Sequence, residues 1–178
     1  QSVNNYARMH TVAVYAPSKT FNLAGLVGSY TIVYSKWLRD RMDKEASLSH
    51  YNAMNVLSMY ALIGAYKAEG HEWLEELLQV LDENITFACD YIRDHFEGVS
   101  VTKPEGTYML FVDCTRWCEA HGKTMDQVIQ ACHDVGVAIQ DGRQFHGPCH
   151  IRMNLASPTS RIKEAFERMD RYVFNPCV

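Results

Sequence analysis

The stretch from residue 11 to residue 30, TVAVYAPSKTFNLAGLVGSY, constrains this chain more than any other. A β-rich run, Val12 to Tyr15, stops at Pro17, and a single lysine, Lys19, follows at once. Proline has no N–H for a strand ladder, so the run ends in a Pro-Ser-Lys corner. Small and apolar residues come next, then a second strand-like run, Tyr30 to Tyr34; no residue from Phe21 to Val33 carries a charge. Strand ends are where α/β folds place their ligand sites. A lysine flanked by so much apolar sequence is expected to be buried. Burial lowers the pKa of an amine and makes it a usable nucleophile. The competing reading is a core-edge lysine that snorkels to water.

Ala16-Pro17-Ser18-Lys19-Thr20-Phe21-Asn22-Leu23-Ala24-Gly25-Leu26 resembles the cofactor-lysine motif of fold-type I pyridoxal-phosphate (PLP) enzymes. In detail it is similar to the cystathionine β-lyase (C–S lyase) branch of the class I/II aminotransferase family. The resemblance implies that Lys19 forms a Schiff base with PLP, the expected chemistry of an activated amine meeting an aldehyde. Ser18 is a candidate to hold the cofactor phosphate or tune the lysine, and Asn22 to cap the turn through its side chain; structural roles are favoured for both. Many members of the family carry an arginine eight positions after the lysine, for the phosphate. Here that position is Val27, which fits the lyase branch and leaves the source of phosphate binding open.

Along the chain, residues 1 to 10 read as an irregular or helical lead-in, and residues 11 to 16 and 29 to 34 as strands. Ser35 is a plausible N-cap for a helix through about Met42, and Ser47 or Ser49 for the next one. In that next helix Met54, Leu57, Ala61 and Ala65, with Val56, Tyr60 and Ile63, cover much of the circumference, which predicts burial on more than one side. Glu69-Gly70 is its expected stop. From His71 to about Phe96, Leu74, Leu77, Leu78, Leu81, Ile85, Ala88 and Ile92 recur at three and four, the pattern of one long amphipathic helix of roughly 35–40 Å.

After Glu97-Gly98, Val99 to Val101 and Tyr108 to Val112 read as strands. Thr124 caps a helix through about Val135, and Val137 to Ile139 forms a short strand. Residues 140 to 148 form a loop, Cys149 to Leu155 a strand, and Thr159 or Ser160 caps a last helix with Ile162, Ala165, Phe166 and Met169 as its stripe. This order is an α+β module. Glu105-Gly106-Thr107-Tyr108, and Gly142 through Arg152 with Phe145 and Gly147, look like the small-domain signatures of the same family. The fold class is therefore α/β and α+β: the resemblance implies the C-terminal portion of a fold-type I enzyme. Residues 1–70 would close the large PLP-binding domain, residues 71–97 form a long connecting helix, and residues 98–178 form the small domain.

Arg152 is the second residue of interest. It stands in an otherwise apolar strand just after a glycine-rich loop, and a guanidinium held there can grip a carboxylate with two parallel hydrogen bonds. In the family the arginine at this position binds the substrate α-carboxylate; the bland alternative is pairing with a structural carboxylate. Arg143, in the loop, is expected to be solvated.

The six cysteines, Cys89, Cys114, Cys118, Cys132, Cys149 and Cys177, lack a framework spacing and read as free thiols. Cys114, Cys118 and His121 are too loosely spaced for zinc, so no metal is expected. A net charge of −4 without a basic block argues against nucleic acid and anionic membranes. No apolar run approaches the ~20 residues of a spanning helix, and a cytoplasmic location is expected. The polar N-terminus has no initiator Met or signal-peptide core and reads as a cut from a longer protein.

The parent, on this resemblance, is a homodimer acting on amino acids: β-elimination from cystathionine or cysteine, or alternatively transamination. The ring-holding carboxylate, the stacking ring and the phosphate cradle are expected before residue 1; Asp113, Asp126 and Asp134 do not suit the first role. An inactive binding module remains open for the chain alone. A Schiff-base aldolase belongs to a repeated βα pattern, which the second half contradicts.

Overall fold

The computed structural model describes residues 1–49 and 53–176. The chain divides into two compact units, Gln1–Glu76 and Leu77–Val178.

The first unit opens with α1 (Asn5–His10), capped by the Asn4 side chain, which accepts from the Ala7 N–H at 2.8 Å. Strands β1 (Ala13–Tyr15) and β2 (Tyr30–Ile32) pair antiparallel, with Tyr15 opposite Tyr30 and Ala13 opposite Ile32. The Gln1 amide donates to the carbonyls of Thr11 and Ile32, at 3.0 and 2.9 Å, and clips the open end of this hairpin. Ser35 caps α2 (Lys36–Ala46), as expected, and the helix runs a turn beyond Met42 because nothing from Asp43 to Ala46 opposes it.

The next helix, α3 (Val56–Ala65), does not start from Ser47 or Ser49. Asn55 caps it, its side chain accepting from the Ser58 N–H at 2.9 Å, while the Ser47 N–H closes α2 on the Asp43 carbonyl. Nor does α3 end at Gly70. It stops at Ala65, and Gly70 lies in the first turn of α4 (Ala68–His95). A Cβ on Gly70 would sit 2.2 Å from the Ala65 carbonyl oxygen, so glycine serves the close helix-to-helix junction rather than a stop. The expected burial of α3 is not found. Only Ser58 is buried, and Leu57 and Tyr60 are 71% and 70% exposed. The all-round apolar pattern marks a surface in need of cover, and the described residues do not supply it.

The second unit holds the hydrophobic core. Its sheet has the order β3 (Ser100–Val101), β4 (Met109–Asp113), β6 (His150–Asn154), β5 (Gln140–Asp141), every pair antiparallel. Alternation in β4 and β6 sends Leu110, Val112, Ile151 and Met153 into the core. There they join Ile85, Ala88 and Ile92 of α4, Val128 and Cys132 of α6 (Met125–Asp134), and Ile162, Phe166 and Met169 of α7 (Thr159–Met169). Phe96 stacks on Phe166 at 6.0 Å and meets Phe174 at 4.5 Å. The short helix α5 (Thr115–His121) adds Trp117, whose indole N–H donates to the Phe174 carbonyl at 3.1 Å.

Thr124 and Gln127 form a reciprocal capping box on α6, as the sequence predicts. Three other expectations shift. Val137 and Ile139 are buried, but the strand pairing lies at Gln140–Asp141. The expected loop after residue 139 thus begins with β5 and continues into a 3-10 turn, Gly142–Phe145. Helix α7 takes no side-chain cap from Thr159 or Ser160; Pro158 stands at the cap position and its ring fixes the entry.

One buried polar residue ties α4 to the chain after β6. Asn84 is fully buried and its amide donates to the carbonyls of Leu155 and Ser157, at 3.1 and 3.0 Å. Asn84→Leu strands both carbonyls, and we expect it to lower stability by about 1–3 kcal/mol. A urea midpoint that falls at unchanged slope checks this.

Candidate functional site

Lys19 lies in the connection between β1 and β2. The Phe21 N–H donates to the Pro17 carbonyl at 2.9 Å, and the Leu23 N–H to the Ser18 carbonyl at 3.0 Å, which wraps the lysine into one helical turn. Asn22 closes this turn at φ 53°, a left-handed conformation that asparagine tolerates better than most residues. Its part is therefore played by the backbone.

Aromatic rings brace the turn. Tyr15 stacks on Tyr30 at 5.4 Å, Phe21 meets Tyr66 at 5.4 Å and Trp73 at 6.3 Å, and the hydroxyls of Tyr30 and Tyr66 share a 3.1 Å hydrogen bond. That bond raises the Tyr66 pKa.

The expected burial of Lys19 is corrected: the residue is exposed. An uncharged flank in a turn is close in sequence but does not wrap the side chain, and Val27, eight residues on, is itself 78% exposed. Among the described residues the Lys19 ammonium and the Ser18 hydroxyl have no hydrogen-bond or ionic partner.

In the second unit, the face of the sheet opposite the core carries Met109, Phe111 and Asp113 on β4 and His150, Arg152 and Asn154 on β6. An open cleft of about 720 Å³ lies along it, with Pro104, Thr107, Phe111, Phe145, His150 and Arg152 in its wall. Arg152 is half-buried there, opposite Phe111 on one side and Gln140 on the other. Its Nη1 donates to the Gln140 side-chain carbonyl at 2.8 Å, and its guanidinium lies 4.5 Å from the centre of the Phe145 ring. No carboxylate pairs with it among the described residues. Phe111 and His150 stack beside it at 4.5 Å.

The glycines of this loop set the fit. A Cβ on Gly142 would lie 2.3 Å from the His150 carbonyl oxygen, and one on Gly147 the same distance from the Phe111 ring.

Arg143 is exposed, as expected from the sequence, but it is not a free arginine. Its Nε donates to Asp141 at 2.9 Å and its Nη2 to Asp126 at 2.5 Å. An aspartate in the first turn of α6 reaches the loop, a pairing across distant sequence that local spacing does not reveal.

Among the described residues no cluster of His, Cys, Asp or Glu is arranged to hold a metal. Cys114, Cys118 and Cys132 are buried free thiols and Cys89 and Cys149 half-buried ones; Cys177 lies outside the described residues. Desolvation pushes the thiols of Cys118 and Cys132 up to about 12, so both stay protonated and poorly nucleophilic at neutral pH. Gln140, Phe145 and the Phe111–His150 pair were not singled out as site residues from sequence. The signal available was the Phe145 position in the loop motif; the register that brings Gln140 opposite Arg152 becomes visible only in the sheet.

Comparison with known proteins agrees with this arrangement. Cystathionine beta-lyase PatB of Bacillus subtilis is 25% identical over 162 residues, which cover 89% of this chain and 41% of that protein. The crystal structure of a PLP-bound protein from Clostridium difficile 630 superposes with a TM-score of 0.84 at 32% identity, over 95% of this chain and 43% of the other. Cystalysin from Treponema denticola, which contains PLP, gives a TM-score of 0.82 at 28% identity, over 96% and 43% of the two chains. The chain thus spans less than half the length of these relatives. The fold is that of the corresponding part of PLP-dependent fold-type I enzymes. Residues 2–169 match the model of the aminotransferase class I and II family, and the chain belongs to that family.

Proposed function

We propose that this chain is the C-terminal part of a PLP-dependent C–S lyase, to which it contributes the cofactor lysine, Lys19, and the substrate-binding arginine, Arg152. The observation that carries this reading is an ordered turn that presents a lysine with no competing partner, inside a motif that resembles the cofactor-lysine motif of the family. The residues present fit the aldehyde end of PLP: an accessible amine, and beside it an unengaged Ser18 hydroxyl suited to the phosphate.

When bound, PLP supplies an electron sink for the Cα of an amino acid. Lys19 would hold the cofactor through its amine, and the same amine, when free, would take the Cα proton. Arg152 holds the α-carboxylate through its planar fork and so orients the bond to be broken. With cystathionine and one water the products would be a thiol, pyruvate and ammonia; with cysteine, hydrogen sulfide takes the place of the thiol.

Transamination is the second reading, since the family includes both activities. The complete protein is a cytoplasmic homodimer in this proposal. Free thiols support the location, and the exposed apolar side chains of α3 support a covered surface. No helix among the described residues is long and apolar enough to cross a membrane, and nucleic acid is not expected at net charge −4.

The test is borohydride reduction of the complete enzyme with PLP, peptide mapping, and product analysis. We expect the label on Lys19 and pyruvate with thiol from cystathionine. Label elsewhere overturns the lysine assignment, and amino transfer to a 2-oxo acid without thiol release replaces lyase by transaminase.

A further inference from the structure

The two arginines of the cleft region are treated in opposite ways. Arg143 is engaged by two carboxylates, Asp141 and Asp126, so an incoming anion would have to displace both. Arg152 is held by a neutral amide and an aromatic face. We infer that Gln140 is a positioning residue: it fixes the Arg152 guanidinium through an uncharged acceptor and thereby keeps the arginine's full charge for the substrate carboxylate. This rests on the reading of Arg152 given above.

The geometry supports a fixed orientation. Gln140 is the direct cross-strand partner of Arg152 in the β5–β6 register, and the 2.8 Å bond uses one edge of the fork. A guanidinium has five N–H donors, so one such bond leaves donors for a bidentate carboxylate. Phe145 covers one face of the plane, which limits rotation about the side-chain axis and contributes cation–π attraction. Strand β6 fixes the backbone from both sides.

The choice of an amide has a consequence of definite sign. Glutamate at position 140 has the same reach and a stronger acceptor for Arg152. It would also neutralise the guanidinium and compete with the substrate. A residue that merely strengthens the sheet edge would be improved by that change; a residue that keeps a charge available would be ruined by it.

The experiment uses the complete PLP-loaded enzyme and the variants Gln140→Leu, Gln140→Glu and Arg152→Ala, singly and as Gln140/Arg152 doubles. KM is measured together with the Kd of an α-methyl amino acid, which lacks the Cα proton and reports binding through the cofactor absorbance band. Gln140→Leu raises both roughly three- to tenfold, less than a full hydrogen bond to a charged group, because the arginine keeps its carboxylate contacts and loses only their pre-set orientation. Gln140→Glu raises them further, and the loss falls on KM rather than kcat. In the Arg152→Ala background neither Gln140 substitution has a further effect, as expected of residues that act as one unit.

Glutamate that matches glutamine, or outperforms leucine, overturns the proposal, as does a Gln140 effect that persists without Arg152. If Arg152→Ala itself leaves KM and Kd unchanged, the carboxylate-binding role of Arg152 fails and this inference falls with it. If Arg152→Ala raises both while Gln140→Glu does not, Arg152 stands and only Gln140 is displaced.

Discussion

Lys19→Ala in the complete enzyme is expected to abolish turnover and the borohydride-trapped PLP adduct together, with kcat lower by at least roughly a thousandfold. Two features make the loss hard to rescue. The turn from Pro17 to Leu23 is closed by its own backbone bonds and by the left-handed Asn22, so neighbouring residues cannot slide into the lysine's place. Lys36, the next lysine along the chain, already pairs with Asp40 at 2.5 Å on α2. Lys19→Arg is the informative companion. It keeps a positive charge at the site, yet a guanidinium stays protonated at any working pH and offers no free amine to an aldehyde. Both variants should therefore fail alike. Turnover surviving in either, or an adduct trapped on another residue, sinks the assignment.

Arg152→Ala is the second large effect. The complete enzyme should show a KM for amino acids raised at least about a hundredfold, the low end for two hydrogen bonds to a charged group, while the Kd for PLP moves little. Arg152→Lys recovers part of the loss, because an ammonium supplies charge without the planar fork. The structure adds a control. Arg152 also rests on Phe145 and Gln140, so removing it loosens the loop after β5. If that loosening were the main consequence, PLP affinity and substrate affinity would fall together, and the arginine would be structural.

The lysine and the arginine stand out in the chain as candidates because each sits in a contiguous motif whose local chemistry is unusual. A lone lysine follows a Pro-Ser corner, and a lone arginine interrupts an apolar strand. The strands β4 and β6, the long helix α4 and the Thr124 cap were legible for the same reason: short-range alternation, a three-four repeat and a capping pair all act within a few residues.

What failed was everything that depends on contacts at a distance. Burial of Lys19 and of α3 was inferred from neighbouring apolar residues, but burial is decided by what packs from elsewhere, and both are exposed in this chain. The pairing of exposed Arg143 with Asp126 has no local signal because the two are 17 positions apart. Gln140 was unremarked because its significance lies in the register between β5 and β6, which no local pattern states. Caps were misplaced where two candidates competed: Asn55 took α3 from Ser47 and Ser49, and Pro158 took α7 from Thr159 and Ser160.

The distribution of core residues between the two units has a consequence for how firmly each is held. Every buried hydrophobic side chain described, from Ile85 to Phe174, belongs to the second unit, while the first buries only Pro17, Ser35 and Ser58. Free energies of local opening follow such burial. Amide protons of β4, β6 and α7 should exchange with solvent only through rare, large openings, whereas those of the hairpin around Lys19 open cheaply. The proposed cofactor lysine is thus carried on a segment with little buried core of its own. If Lys19 carries the cofactor, a surface that covers this segment would also stiffen the lysine, and covering and readiness for chemistry would be linked.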